Sequence, residues 1–270
     1  MRYLKEIYRF IRHLFQSRTL IFALIKNDFK KQYLGSYLGL AWAFIQPMMF
    51  MLVIWGVFEL GFRAGNTASG VPFVVWLLAG MVPWLFFSDA IRAGADAVTS
   101  NAFLVKKVAF RVGILPLVNI GSSILIHLGL VFFLLVVLLS HGFMPSVYWL
   151  QLPFYMLLTV LFTVGLSWTT SAIRVFIKDV ASIIAVFLQM GFWLTPIFWS
   201  PDLVPQKYQY LIKLNPAYYI VTGYRDSFVS QVWFWEKPMW SAYYLTITIL
   251  ALLLGALIFK RLRPHFGDVL

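Results

Sequence analysis

Long apolar intervals without charged residues alternate with short charged clusters along the 270-residue chain. Because the hydrocarbon core of a bilayer solvates neither charges nor unpaired backbone groups, such intervals are the primary signal of membrane-spanning helices. Each crossing needs roughly 20 apolar residues, and one uncharged interval, 112–173, is divided by a turn-rich stretch at 140–146. The pattern predicts six spans, at about 38–60, 71–90, 114–139, 147–170, 181–201 and 238–259.

The lysines and arginines are distributed unequally between the two sides that six spans create. Sixteen lie in the amino-terminal segment, two loops and the carboxyl-terminal tail on one side, whereas the loops on the other side carry five. Because Lys and Arg concentrate in cytoplasmic loops, this asymmetry predicts that both termini are cytoplasmic.

The composition excludes an ordinary soluble domain. Hydrophobic residues make up 61% of the chain and charged residues 12%, against about 45–50% and 25% in soluble proteins. The net charge of +12 fits cytoplasmic loops and anionic lipid headgroups, and the absence of cysteine excludes disulfides. Together with the six spans, these features predict an all-α integral membrane protein of the plasma or inner membrane.

The first 31 residues form a separate amino-terminal region ahead of the membrane domain at 32–270. Between residues 4 and 15, apolar side chains recur at helical spacing and basic side chains occupy the other face. This pattern predicts an amphipathic helix in the plane of the cytoplasmic headgroups; the alternative is a solvated helix packed on its own bundle. The candidate contacts to lipid phosphates are Arg9, Arg12, Lys30 and Lys31.

The third predicted external segment, 200–237, is too apolar and aromatic for a solvated loop. Asn215-Pro216 separates two apolar pieces, neither of which is long enough to span a bilayer. The segment is therefore expected to form a re-entrant helical hairpin, since non-helical backbone at that depth requires cover by protein or water. An amphipathic cap resting on the external surface is the alternative.

Motifs for intrinsic catalysis are missing from the sequence. It contains no G-x-x-x-x-G-K-[ST] phosphate loop, no G-x-S-x-G elbow and no paired histidine spacing for a metal. The chain by itself is therefore not expected to be an enzyme or to hold a cofactor. Intramembrane acids are few and lie near span ends, which disfavours a proton-coupled transporter.

Aromatic residues account for 19% of the chain. Many are explained by the interfacial aromatic belt, but those deep in the first and fifth spans could face a channel, where flat rings suit the apolar faces of sugars. The alternative for each is simple packing or contact with lipid. The candidate channel residues are Trp42, Phe50, Trp55, Phe58, Trp193, Phe198 and Trp199.

Several motifs, in order over some 200 residues, carry a family resemblance. They are residues 33–42 followed by Gln46-Pro47, Gly70-Val71-Pro72-Phe73, Trp76–Gly80, Trp84-Leu85-Phe86-Phe87, 101–110, Thr195–Trp199 and Leu214-Asn215-Pro216. The chain resembles the type-2 ABC exporter permeases that move lipid-linked polysaccharides. Gly61-Phe62-Arg63 and the ending Phe266–Leu270 look most like the wall teichoic-acid branch.

The resemblance implies a site map and a set of partners. A coupling helix at about 101–111 would contact a separate ATPase subunit, although its lysines could equally be positive-inside anchors; its candidate residues are Asn101, Leu104, Lys106, Lys107 and Arg111. The hairpin would form an external gate with candidate residues Pro201, Asn215, Pro216 and Arg225. Two copies of the permease would pair with two ATPase subunits, which would bind ATP and Mg²⁺.

The implied function is export of a polyprenyl-diphosphate-linked cell-surface polymer, most like wall teichoic acid, in cell-wall biogenesis. Three alternatives remain at this point. The polymer could be an O-antigen or a capsular polysaccharide; the permease could export small molecules or drugs; or the chain could be a glycosyltransferase acting on polyprenyl-linked sugars, for which no carboxylate cluster is visible.

Overall fold

The computed structural model describes residues 17–33, 37–63, 65–67, 70–106 and 111–270. Over these ranges the chain is built from helices and turns, and no strand forms there. The predicted all-α class is confirmed. In chain order the α-helices of the described ranges are α1 (Arg18–Tyr33), α2 (Trp42–Gly56), α3 (Phe73–Asp96), α4 (Ala102–Val105), α5 (Leu115–Ser140), α6 (Leu152–Arg174), α7 (Val180–Leu194), α8 (Gln209–Lys213), α9 (Pro216–Arg225), α10 (Pro238–Leu262) and α11 (Phe266–Val269).

Among the described residues, five helical stretches are long and apolar enough to cross a membrane. They are Gly39–Gly61, Phe73–Asp96, Val112–Ser140, Val147–Arg174 and Pro238–Val269. These stretches confirm the first four predicted spans and the sixth. The turn-rich break between the third and fourth spans is also present, because α5 ends at Ser140.

The fifth predicted span is shorter than expected, and its predicted end at residue 201 is wrong. Helix α7 has 15 residues, which gives a length of about 22 Å at 1.5 Å per residue. The helix stops because Pro196 has no amide hydrogen and disfavours helical backbone in the residue before it. Thr195 accordingly adopts an extended conformation, with ψ of 133°.

Helix α3 lies at the centre of the bundle. It packs against α5, α6, α7 and α9, and most of its length is buried. Helices α6 and α10 form another close pair, in which Gly165 and Gly255 bring the two backbones into direct contact. By contrast, α2 packs more loosely on the outside, and only Ala43 and Met51 are buried within it.

The bundle has two distinct ends. The hairpin end carries residues 195–237 together with the start of α3, and the termini end carries the start of α5 and the carboxyl terminus. At the termini end, Phe266 of α11 is buried against Phe176 and Phe259. This cluster also includes Ala97 and Val98, so the carboxyl-terminal turn supports the residues that lead into the predicted coupling segment.

Helix α1 packs against α5 close to the termini end. The Ser122 hydroxyl donates a hydrogen bond to Oδ2 of Asp28 at 2.6 Å, and Gly121 leaves space for the side chain of Ile25. Lys30 and Lys31, at the end of α1, are exposed. The predicted amphipathic helix at the amino terminus, with Arg9 and Arg12, lies outside the described residues.

Candidate functional site

A cavity of about 700 Å³ lies between α2, α3 and α7. Helices α2 and α7 form its two walls, and α3 forms its floor. The residues lining it include both aromatic and charged side chains. They are Trp42, Ala43, Gln46, Pro47, Phe50, Trp84, Leu85, Ser88, Asp89, Arg92, Ala95, Asp96, Ile126, Arg174, Ala181, Ile184, Ala185, Leu188, Gln189 and Phe192.

The floor of the cavity is one face of α3. Trp84, Ser88, Asp89, Arg92 and Asp96 follow one another at helical spacing, so they form a stripe along that face. The opposite face of α3 is apolar and packs into the core. Polar residues that are separated in the sequence therefore lie next to one another on the face of α3 that forms the cavity floor.

The end of the cavity nearest the termini is charged. Arg174, the last residue of α6, forms an ion pair with Asp96 at the last turn of α3. Two turns further in, Asp89 lies within electrostatic range of Arg92. Ionisable residues in spanning helices are costly, face protein or water, and mark the paths of polar substrates.

The opposite end of the cavity is closed by aromatic rings. Phe192 of α7 contacts Phe50 of α2 and Trp84 of α3, with ring centroids 5.7 and 6.1 Å apart. Its neighbour Phe198 lies 5.5 Å away, centroid to centroid. Aromatic pairs at such distances stabilise packing beyond their buried area.

Beyond this point the rings continue toward the hairpin end. Phe58, just past α2, lies 5.3 Å from Phe198 and 5.6 Å from Phe73 at the start of α3, again between centroids. Phe58, Phe73, Phe192 and Phe198 together fill the gap between α2 and the end of α7. We call these four residues the aromatic constriction.

The seven predicted channel residues fall into different positions. Trp42 and Phe50 line the cavity, and Phe58 and Phe198 belong to the constriction. Trp193 is 58% exposed and is not among the lining residues, but its ring centroid lies 5.0 Å from that of Phe198 in the constriction. The remaining two serve packing: Trp55 packs against the core, and the Trp199 indole donates to the carbonyl of Trp193 at 3.1 Å.

The polar floor was not predicted from the sequence. Asp89 and Asp96 are two of the few acids near predicted span ends, and Arg92 and Arg174 had no predicted role in a site. The signal was available, because charged residues at i, i+3 and i+7 of one apolar helix share a face. Trp84 and Gln189, which also line the cavity, were not among the predicted site residues.

The predicted coupling segment is partly described. A short turn at Thr99–Asn101 leads into α4. The side-chain Nδ2 of Asn101 donates a hydrogen bond to the carbonyl oxygen of Ala97 at 2.9 Å. Leu104 packs on the cluster at the termini end, whereas Lys106 and Arg111 are exposed. Lys107 lies outside the described residues, and contact with an ATPase stays a prediction.

The predicted hairpin enters the bundle. Pro201 begins a short turn, and Asn215 caps α9 by accepting a hydrogen bond from the amide of Ala217, with Pro216 as the first helical residue. Such a cap and an initial proline are favoured at helix starts. Helix α9 then runs inward, and most of its side chains are buried.

Two contacts show how far the hairpin reaches. The Tyr224 hydroxyl and Nε2 of His127, in the middle of α5, are 2.7 Å apart. Arg225, the last residue of α9, is buried beside Gly80 of α3. Gly80 is seven residues from the start of its helix, which places this contact about 10 Å inside the bundle.

The comparisons with known proteins agree with this architecture. The sequence model of the ABC-2 type transporter family matches residues 19–229. An O-antigen export system permease protein RfbA from Klebsiella pneumoniae is 28% identical over 253 residues, which cover 93% of this chain and 95% of that protein. The capsule polysaccharide export inner-membrane protein CtrC of Neisseria meningitidis is 22% identical over 275 residues. The match covers 96% of this chain and 97% of CtrC. The polysialic acid transport protein KpsM of Escherichia coli is 20% identical over 213 residues, 76% and 79% of the two chains.

The family match covers well over half of the chain and includes every wall of the cavity. The long apolar helices have the length and composition that a multi-pass membrane protein requires. The chain belongs to the ABC-2 type transporter family.

Proposed function

We propose that this chain is the permease subunit of an ATP-driven exporter that moves a polyprenyl-diphosphate-linked polysaccharide from the cytoplasmic to the external side of the membrane. The similarity to polysaccharide export permeases over almost the whole chain carries this proposal. The cavity between α2 and α7 supports the proposal, because it offers the polymer a route between the first and fifth predicted spans.

The two ends of the cavity suit the two parts of such a substrate. Arginine forms charge-assisted, often bidentate hydrogen bonds with phosphate, so Arg92 and Arg174 fit the anionic headgroup. The rings of Trp42, Phe50 and Trp84 offer flat apolar faces to sugar rings without fixing their register. A chain of repeating units can therefore slide along these rings.

The energy source and the partners are also part of the proposal. Two ATPase subunits, which bind ATP and Mg²⁺, would act on the region around α4 of two permease copies. The outer face of α2 carries exposed apolar side chains, among them Met49 and Leu52. A second copy or lipid would cover this face. In this arrangement both termini are cytoplasmic and the hairpin is external.

The relatives favour an O-antigen or capsular polysaccharide as the polymer, because O-antigen, polysialic acid and capsule occur in their names. Wall teichoic acid stays a prediction that rests on short motifs. The two classes differ chemically, since one is built of sugars and the other of polyol phosphates. Mass spectrometry of the lipid-linked polymer that accumulates when the permease is depleted distinguishes them.

Filling the cavity tests the proposed route. Ala185 lines the cavity on α7, and its replacement by Trp would occupy the space between the walls. The matched control is Ala256→Trp, because Ala256 is an exposed residue of α10 away from the cavity. Both variants are expressed with the partner ATPase in cells that lack their own permease, and surface polymer is quantified.

We expect Ala185→Trp to abolish surface polymer while the permease–ATPase complex still assembles, and Ala256→Trp to export like the parent protein. Normal export by Ala185→Trp would contradict the proposed route. Normal surface polymer in cells without the permease would contradict the proposed function itself.

A further inference from the structure

Three segments that are distant in sequence meet around one buried side chain, Arg225. They are the first two turns of α3, the extended residues after α7, and the carboxyl end of α9. Arg225 as a whole is only 6% exposed. No acidic side chain of the described residues forms an ion pair with it within 4 Å, so its role differs from that of a surface cation.

The guanidinium donates all of its observed hydrogen bonds to backbone carbonyls. Nη1 and Nη2 donate to the oxygens of Pro196 and Ile197, each at 2.6 Å, and Nε donates to the oxygen of Trp76 at 3.3 Å. The same group stacks on the Trp76 ring, 3.4 Å from its centroid. Arginine presents five donors in a rigid planar fork, which a lysine cannot reproduce.

Gly80 provides the space for this arrangement. A Cβ atom at this position would lie 2.6 Å from Nη2 of Arg225 and 3.3 Å from the carbonyl oxygen of Ile197. Both distances are shorter than ordinary non-bonded contacts, which for carbon atoms are about 3.5–4.0 Å. Gly80 and Trp76, one turn apart on α3, thus both accommodate the guanidinium.

The carbonyls need these donors because α7 ends inside the bundle. Pro196 cannot donate, and residues 195–197 are not helical, so their carbonyls have no partner within a helix. Unpaired backbone groups inside a membrane protein cost several kcal/mol each. Asn215 adds one more connection, since its Nδ2 donates to the Thr195 hydroxyl at 2.8 Å.

From this geometry we infer that Arg225 is a positioning residue for the aromatic constriction, and that it joins the hairpin, the end of α7 and α3 into one rigid unit. Phe198 directly follows the carbonyls that Arg225 binds, so its ring is held against Phe58. Opening of the constriction then requires α2 to move away. The inference rests on the proposed function only in taking the cavity as the route.

Helix α2 is suited to be the moving wall. In the most apolar 18 residues of the membrane-crossing stretch that contains α2, 11% are buried. The corresponding fraction in α3 is 78%. Phe58, which follows α2 within the same membrane-crossing stretch, makes apolar ring contacts at the constriction, for example with Phe198. Such contacts have no directional hydrogen bonds to break, unlike the contacts that hold the hairpin.

Cysteine labelling tests the inference, since the chain contains no cysteine of its own. Ser88 lines the cavity, and Ser88→Cys is the reporter in the full permease–ATPase complex without nucleotide. A membrane-impermeant maleimide is added from the side that bears the hairpin. We expect slow labelling in the parent background and labelling about tenfold faster in Arg225→Lys, since losing one hydrogen bond to a charged group corresponds to a shift of that size.

The matched control removes the neighbouring ion pair between Asp226 and Lys237, whose Nζ–Oδ2 distance is 2.5 Å. The double substitution Asp226→Asn with Lys237→Met leaves the contacts of Arg225 in place, and we expect labelling at the parent rate. Phe198→Ala removes a ring of the constriction and should label as fast as Arg225→Lys.

Gly80→Ala serves as a second variant if Arg225→Lys does not assemble. It keeps the arginine but displaces it, and the same acceleration is expected. Parent-like labelling in the Arg225 or Gly80 variant, or an equal acceleration in the double control, would overturn the inference. None of these readouts requires polymer, so they do not depend on the export assay that tests the proposed function.

Discussion

The close packing of α6 against α10 makes a quantitative prediction for Gly165→Ala. An added Cβ would lie 2.5 Å from the carbonyl carbon of Ala251 and 2.6 Å from the amide nitrogen of Leu252. These atoms belong to backbone and cannot rotate away. Because carbon atoms normally approach to about 3.5–4.0 Å, the two helices would have to separate by about 1 Å.

Two opposing terms set the size of the effect. Alanine in place of glycine inside a helix stabilises by about 0.5–1 kcal/mol. Overpacking an interface costs about 1–3 kcal/mol, and the rigid backbone neighbours place this site at the upper end. We therefore expect a net destabilisation of about 2–2.5 kcal/mol, which corresponds to a melting temperature about 4–10 °C lower in a chain of this size.

The assay is thermal unfolding of the purified permease in detergent, followed by tryptophan fluorescence. Gly56→Ala is the matched control, since Gly56 is also helical but has no atom within 4 Å of the added Cβ. It should melt at or above the parent temperature. A Gly165→Ala protein as stable as the parent, or an equal loss in Gly56→Ala, would refute the packing argument.

Three further predictions concern the hairpin and the cavity. Tyr224→Phe leaves Nε2 of buried His127 without its partner and should destabilise by about 1–3 kcal/mol; an unchanged melting temperature would contradict this. Asp96→Asn removes the partly exposed ion pair with Arg174 and should cost at most about 1 kcal/mol while surface polymer decreases, whereas loss of folded protein would show a structural role. Trp42→Ala should reduce surface polymer without loss of complex assembly, and normal export would show that this ring only packs.

The overall architecture was predictable because its signal is physical and local. Charge-free intervals mark the spans, since lipid cannot solvate charge, and five of them appear where predicted. The short α7 could not be located as accurately. Its apolar composition continues past Leu194, and only the effect of Pro196 on the preceding residue ends the helix.

The site was predictable only in part. Trp42 and Phe50, two of the aromatic residues predicted to lie on one route along the first and fifth spans, both line the cavity between those spans. Passage of the polymer along them stays a prediction. The positions of Trp55 and Trp193 depend on the rotation of each helix about its axis, which an apolar sequence does not specify. A helix that is apolar all round gives no preferred face.

Arg225 illustrates what sequence alone cannot supply. The resemblance placed it in the external hairpin, but its three carbonyl partners come from segments up to 149 positions away. Those partners become apparent only when Gly80, the end of α7 and α9 are seen together. The quoted motifs Trp76–Gly80, Thr195–Trp199 and Leu214-Asn215-Pro216 are joined through this one cluster.

Capture of the moving polymer tests the central claim most directly. A photoreactive benzoylphenylalanine is placed at Gln189, which faces the cavity from α7, or at Ala256 on the outer side of α10. The complex is stalled during export with an ATPase variant that binds but does not hydrolyse ATP. The account predicts a polymer adduct from Gln189 and none from Ala256. No adduct at Gln189, or equal adducts at both positions, would contradict passage of the polymer between α2 and α7.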